Sequence, residues 1–288
     1  MPNPITQERI DPAHPPHGLR LVGRRPRLVE YVKDSWARRW FALRFAFGRV
    51  RLTGESTRLG RMWLILNPVL NAGVYYFVFG VLFSQRKNIP HFIAFLLIGV
   101  FIFRIGEKTL TAANASISGN KEVIQSLSFP RILLPLSAGI FELALGFVSA
   151  GILLIMILFA GARPNWYWLC LPVIIFLFWV TTLGAGMLLA RINTQVRDLG
   201  ELLPFLTRLW LYGSGVMYSL QILLKNHHTI YVLISAQPGA LYLDLSREAL
   251  MGPGNALWWQ VPLAFIWPLL LLPGMWFIWR GEPNYGRV

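Results

Sequence analysis

Residues 166–190 read WYWLCLPVIIFLFWVTTLGAGMLLA, twenty-five positions without a charge. A helix needs about 20 consecutive apolar residues to cross a bilayer core ~30 Å thick. The stretch therefore reads as a transmembrane helix. Working outward, five further segments have similar character, at 62–83, 92–113, 132–160, 202–224 and 256–279. The first of these is 22 residues long and uncharged, about 33 Å as a helix. The second holds Arg104, Glu107 and Lys108, the third Glu142 and the fifth Arg208. Pro262, Pro268 and Pro273 mark places where the last can bend.

Composition supports that reading. Of the 288 residues 55% are hydrophobic and 14% charged, against about 25% charged in soluble domains. A soluble globule of this size could not cover its surface with so few charges. Cys170 is the only cysteine, which excludes a disulfide scaffold. The apolar content excludes disorder over most of the chain. The expected fold is therefore an all-α integral membrane protein with six transmembrane helices.

The net charge is +14, and the excess lies on one side of the expected topology. With both termini cytoplasmic, the inner segments 1–61, 114–131, 191–201 and 280–288 hold 19 Lys and Arg. The outer segments 84–91, 161–165 and 225–255 hold 5. Basic residues concentrate on the cytoplasmic side of membrane proteins, so this asymmetry accounts for the charge and no nucleic-acid partner is expected.

Residues 1–27 contain six prolines and no apolar run, and read as a disordered cytoplasmic head. No apolar core of a signal peptide follows the start. Over 28–51, Val29, Val32, Trp36, Trp40, Leu43, Phe47 and Val50 recur at helical spacing, within an arc of about 80°. Arg and Lys lie outside that stripe, so the segment is expected as an amphipathic helix in the headgroup layer, in contact with membrane lipids. Residues 52–288 form the transmembrane domain. Between the last two spans, 229–236 and 238–245 are each too short to cross, and two short re-entrant outer helices are expected. The alternative is a seventh span, which would place the C-terminus outside.

Catalytic motifs are absent from the sequence. Gly106-Glu107-Lys108-Thr109 lacks the Gly-Lys pair of a phosphate-binding loop and lies in a span. His227 and His228 are adjacent and would diverge on a helix, so no metal site is expected. Gly-x-Ser-x-Gly and paired Asp motifs are missing too. These observations favour a transporter or scaffold over an enzyme.

The most specific stretch is 120–131, NKEVIQSLSFPR, followed by Leu134-Pro135. It resembles the signature of ABC-2 permeases that export polysaccharide, among them O-antigen, capsule, teichoic acid and galactan permeases. Ser126 departs from the Lys often found there. Arg58 to Trp63 with Asn67-Pro68, then 193–198, then Gln237-Pro238 through Arg247 to Gly252, resemble further family segments in the same order, with Gln237 in place of Asn. The resemblance covers 30–288.

It implies that Asn120, Val123, Ile124, Phe129, Pro130 and Arg131 form a cytoplasmic coupling helix and its exit, docking on an ABC ATPase subunit. Pro130 lacks an amide donor and biases Phe129 away from helix, breaking the chain before the next span and offering Phe129 as an apolar knob. The resemblance further implies a homodimer of this permease, two ATPase copies carrying the ATP and Mg²⁺, no cofactor on this chain, and a polyprenyl-diphosphate-linked glycan as cargo. Arg58 and Arg61 are the expected headgroup contacts. Tyr75, Tyr76, Phe79, Phe83, Trp210, Tyr212 and Tyr218 are expected to line the channel, on which sugar faces can slide. The charges at Arg104, Glu107, Lys108, Glu142 and Arg208 are expected to be structural or channel-facing. Arg outnumbers Lys 22 to 5, a bias of GC-rich genomes that makes an actinobacterial cell-wall galactan precursor one reading of the cargo. A drug or lipid exporter of the same fold, and a membrane enzyme of polyprenyl-glycan assembly, are the alternatives.

Overall fold

A computed structural model describes residues 27–52, 60–75, 77–78, 91–127, 129–196, 198–252 and 256–282. Among these residues the chain is all-helical. The expected head, apart from residue 27, lies outside the described residues.

The segment read as one interface helix is two, α1 (Leu28–Ala37) and α2 (Arg39–Leu52), broken at Arg38, where the backbone leaves helical geometry. Its two faces behave differently. Val29, Val32, Trp36, Trp40 and Phe47 are exposed, while Tyr31, Ala42 and Ala46 are buried against the protein. The stripe found by periodicity is thus the outward face. The inward face is made of small residues and of rings held by a partner.

Helix α3 (Trp63–Tyr75) is the described part of the first expected span. Helix α4 (Phe92–Ser118) runs five residues beyond its expected end and carries Arg104, Glu107 and Lys108 in its middle. A short α5 (Lys121–Ser126) follows, then α6 (Leu133–Phe159) and α7 (Leu171–Asn193). Among the described residues three stretches are long and apolar enough to cross a membrane: Leu133–Phe159, Trp166–Gln195 and Gln260–Gly281. The last comprises α12 (Gln260–Ile266), a tighter turn Trp267–Leu270 and α13 (Leu271–Gly281), with Pro268 inside the tight turn.

The fifth expected span is not a continuous helix. Helix α8 (Asp198–Gly213) stops eleven residues short of 224, and α9 (Leu220–Leu223) is a single turn. Between them Gly215 takes φ +65°, a left-handed conformation in which only glycine is free of strain. Helices α10 (His228–Ser235) and α11 (Pro238–Met251) follow, α11 six residues longer than expected. At about 12 and 21 Å both remain too short to cross.

Helices α4, α6 and α7 form the centre of the bundle, and small residues let them approach. A Cβ on Gly184 would lie 2.5 Å from the backbone nitrogen of Leu271, and one on Gly274 would lie 2.7 Å from the Gly184 carbonyl oxygen. The α7–α13 crossing is therefore a backbone-to-backbone contact, the packing mode open to helices in lipid. Two apolar clusters result. One joins Phe95, Phe101 and Ile102 of α4 to Leu153 of α6, Phe178 of α7 and Leu241–Leu243 of α11. The other joins Tyr31, Ala42, Ile117, Ile124, Phe129, Leu133, Met187 and Ile278. The second cluster surrounds α5 and fixes it against α2.

Candidate functional site

The chain around α5 is shaped by its capping groups. The Asn120 side-chain amide donates to the Ser116 carbonyl at 2.6 Å, closing the turn between α4 and α5. Ile124 is buried, Val123 half-buried, and Leu127 is extended and 52% exposed. Together with Glu122, Gln125 and Ser126 it forms the outward face of the turn.

Phe129 corrects the sequence reading. It is not an outward knob: it is 7% exposed and its ring lies 5.0 Å from that of Phe41 on α2. The reason is local. The extended backbone at Leu127 and the break at Pro130 turn the ring inward, where the apolar face of α2 receives it. The exposed apolar residue of this turn is Leu127, which the motif did not single out.

Arg131 sits at the hub of a polar junction. Its Nη1 lies 3.0 Å from Glu282 Oε1, and its backbone amide donates to the same oxygen at 3.2 Å. The Tyr31 hydroxyl donates to Glu282 Oε2 at 2.9 Å and accepts from the Ile132 amide at 3.2 Å. Three distant parts of the chain thus meet: the interface helix, the exit of α5 and the residue after α13. Burial raises the Glu282 pKa above the ordinary carboxylate range, opposed by the hydrogen bond and charge of Arg131 and the hydrogen bond of Tyr31. Tyr31 and Glu282 escaped sequence reasoning, because a single acid 151 residues from its partner leaves no periodic or motif signal.

The channel and headgroup residues are only partly described. Arg58, Tyr76, Phe79 and Phe83 lie outside the described residues, and at Arg61 and Tyr75 only the backbone is described. Trp210 turns inward, with its ring 4.7 Å from Phe103 and 6.1 Å from Phe178. Tyr212 is 52% exposed, and the Tyr218 hydroxyl donates to its carbonyl across the break after α8.

A second polar junction holds that break. Arg247 of α11 is buried, and its Nη2 donates to the carbonyls of Gly215 and Val216 at 3.0 Å each. Its guanidinium lies 3.4 Å over the Phe95 ring and its Nη1 3.7 Å from Asp244 Oδ1. Gln260 Nε2 donates to Asp244 Oδ2 and to the Ser235 carbonyl, each at 3.2 Å. Gln237, standing where the resembling proteins have Asn, donates to the Gly213 carbonyl at 3.0 Å. Carbonyls freed where the helix stops thus find donors, as backbone away from water must. No cluster of metal-ligating side chains occurs among the described residues.

Residues 51–250 match the family described as ABC-2 type transporter. Over 193 residues the chain is 26% identical to the O-antigen export system permease protein RfbA of Myxococcus xanthus, a match covering 67% of this chain and 74% of that protein. Over 167 residues it is 30% identical to a protein of the same description from Klebsiella pneumoniae, covering 57% of this chain and 63% of that one. A second Klebsiella pneumoniae protein so described is 29% identical over an equal span.

Proposed function

The chain belongs to the ABC-2 type transporter family, and from that premise we propose that it is the transmembrane subunit of a bacterial ABC exporter that carries a polyprenyl-diphosphate-linked polysaccharide outward. The observation that carries the reading is the junction at Arg131. A permease without its own ATPase motif must receive mechanical work from another chain. Here an exposed turn, 122–127, is rigidly joined through Phe129–Phe41 and Arg131–Glu282–Tyr31 to the interface helix and to the end of the last span. A push on Leu127 would be passed to both.

On this reading a separate ATPase subunit, in two copies, holds ATP and Mg²⁺ and docks on that turn. Two copies of the permease enclose the passage, with both termini cytoplasmic in the inner membrane. Exposed apolar residues of α8, Leu202, Phe205, Leu206 and Leu209, await a second copy or lipid. The exposed stripe of α1 and α2 rests in the headgroup layer, with Arg39 near the rings of Trp36 and Trp40. Aromatic rings with adjacent cations suit that depth. Arg58 and Arg61 are the proposed inner contacts for the diphosphate headgroup, and Tyr212 and Tyr218, with the aromatic residues 75, 76, 79 and 83, the glycan path. The similarity to O-antigen export permeases supports an O-antigen-type polymer over a galactan as the proposed cargo.

The test is depletion of the protein in its host, followed by measurement of polyprenyl-diphosphate glycan in extracted membranes. A full-length glycan should accumulate on the cytoplasmic side while polymer outside the cell declines. An unchanged pool would leave a drug or lipid exporter, and a truncated glycan a membrane enzyme of glycan assembly.

A further inference from the structure

We propose that the cleft between α3, α4 and α8 is a diphosphate-binding site. The source of its ligand rests on the export reading above, while its chemistry follows from the residues. Arg104 and Lys108 of α4 and Arg208 of α8 line one cavity of about 200 Å³, with Asn71 of α3, Glu107 and Thr207 completing its polar wall. Arg104 and Lys108 stand one helical turn apart and so share a face. Among the described residues none of these three cations has a hydrogen-bond or ion-pair partner.

Arg104 is half-buried, and Lys108 and Arg208 are exposed. Ionisable groups of membrane segments usually face a partner or a water-filled path. Three cations against one carboxylate, Glu107, leave an excess of two positive charges in the cleft. A diphosphate diester joining a lipid to a sugar carries about two negative charges and presents several oxygens to guanidinium donors. Asn71 and Thr207 supply polar contacts beside it.

Charge separates this ligand from an ordinary phospholipid headgroup. A phosphodiester headgroup carries about one negative charge and answers only half of the excess in the cleft, whereas the diphosphate diester answers both. Arg104 and Lys108 also border a second cavity of about 400 Å³, walled by Trp63, Phe101 and Phe141. Its apolar rings offer a place for the isoprenoid end while the phosphates sit on the cations. Glu142, which lines that second cavity, has an interaction of its own.

The experiment uses the full-length permease in nanodiscs of zwitterionic lipid, titrated with polyprenyl diphosphate. Polyprenyl monophosphate and phosphatidylglycerol serve as competitors. The triple variant R104Q/K108Q/R208Q should lose at least about 30-fold in affinity, the scale for losing several charge-assisted hydrogen bonds together. Glu107→Gln should bind about threefold or more tighter, since it removes the opposing charge; a gain of affinity cannot come from misfolding. Monophosphate should compete more weakly than diphosphate, and phosphatidylglycerol weakest. Wild-type affinity in the triple variant, or equal displacement by phosphatidylglycerol, would overturn the site while leaving the export reading intact. Wild-type protein that binds no polyprenyl diphosphate would overturn the export reading itself.

Discussion

Arg247 and the group Arg104, Lys108 and Arg208 are all cations of the membrane domain, and they are held in opposite ways. Arg247 is enclosed: two carbonyls, a ring face and a carboxylate surround it, and its Nε is the one buried atom of the group without a hydrogen bond. The other three face cavities and have no protein partner among the described residues. Arg247 repairs a broken helix and belongs to the fold. The cleft cations share their cavities with Glu107 and Glu142 but pair with neither among the described residues, which leaves them open to an arriving anion.

The comparison is tested most severely at Arg247. Replacing it by Met removes the Nη2 donor shared by the Gly215 and Val216 carbonyls and leaves Asp244 with Gln260 as its remaining partner. Breaking one side of a buried charge pair costs about 3–5 kcal/mol, so Arg247→Met should lower the melting temperature in detergent by several degrees and reduce the yield of monodisperse protein. Melting unchanged from wild type would remove the contrast. Gly99→Ala attacks the same junction from α4, because a Cβ there would lie 2.5 Å from the Val216 carbonyl oxygen and 2.9 Å from Arg247 Nη2.

The two regions also differ in how far they could be read from residues alone. Long apolar runs, with Glu142 the one charge in the first of them, marked α6, α7 and the last helix pair, because hydrophobic length is a local property. The stripe on α1 and α2 was legible for the same reason, although the break at Arg38 has no Pro or Gly to announce it. The end of α8 was hidden. Gly213 and Gly215 permit a break, but the break exists because Arg247, some thirty residues later, accepts the task of satisfying the freed carbonyls. Phe129 was placed on the wrong side for a related reason. Proline 130 announced a turn, and only the packing of Phe41 decides which way the ring points. The cleft cations were visible as intramembrane charges, yet their lack of partners is a fact of three dimensions.

The junction of Tyr31, Arg131 and Glu282 stands between the two extremes, since its groups are paired but partly wet. Tyr31→Phe leaves the Ile132 amide and one Glu282 oxygen without a partner, a loss of about 1–2 kcal/mol, measurable as a smaller fall in melting temperature than at Arg247. It should also loosen the link between ATP hydrolysis and transport in the assembled complex. Glu282 adds a pH signature. Its folded pKa is raised by burial despite Arg131 and Tyr31. The sign is that of a raised group: its contribution is full below the ordinary carboxylate pKa and is lost as pH rises through the folded value. Melting temperature should therefore fall across that window, and Glu282→Gln should flatten the fall. A wild-type profile already flat there would mean that Arg131 and Tyr31 fully compensate the burial of Glu282.

The smallest expected effect on stability is the most telling. Arg208→Gln removes a cation that contributes no hydrogen bond or ion pair among the described residues, and it relieves repulsion from Arg104 and Lys108 across the cleft. Its melting temperature should match the wild type or exceed it slightly, because Arg208 is exposed and its removal breaks no contact while easing like-charge repulsion. Export, assayed as surface polymer in a complemented depletion strain, should nonetheless fall well below wild type. Arg208→Lys should recover part of it, since an ammonium keeps the charge but not the planar fork. Stability and transport moving in opposite directions would separate a ligand cation from a structural one. A loss of both together would instead put Arg208 in the same class as Arg247.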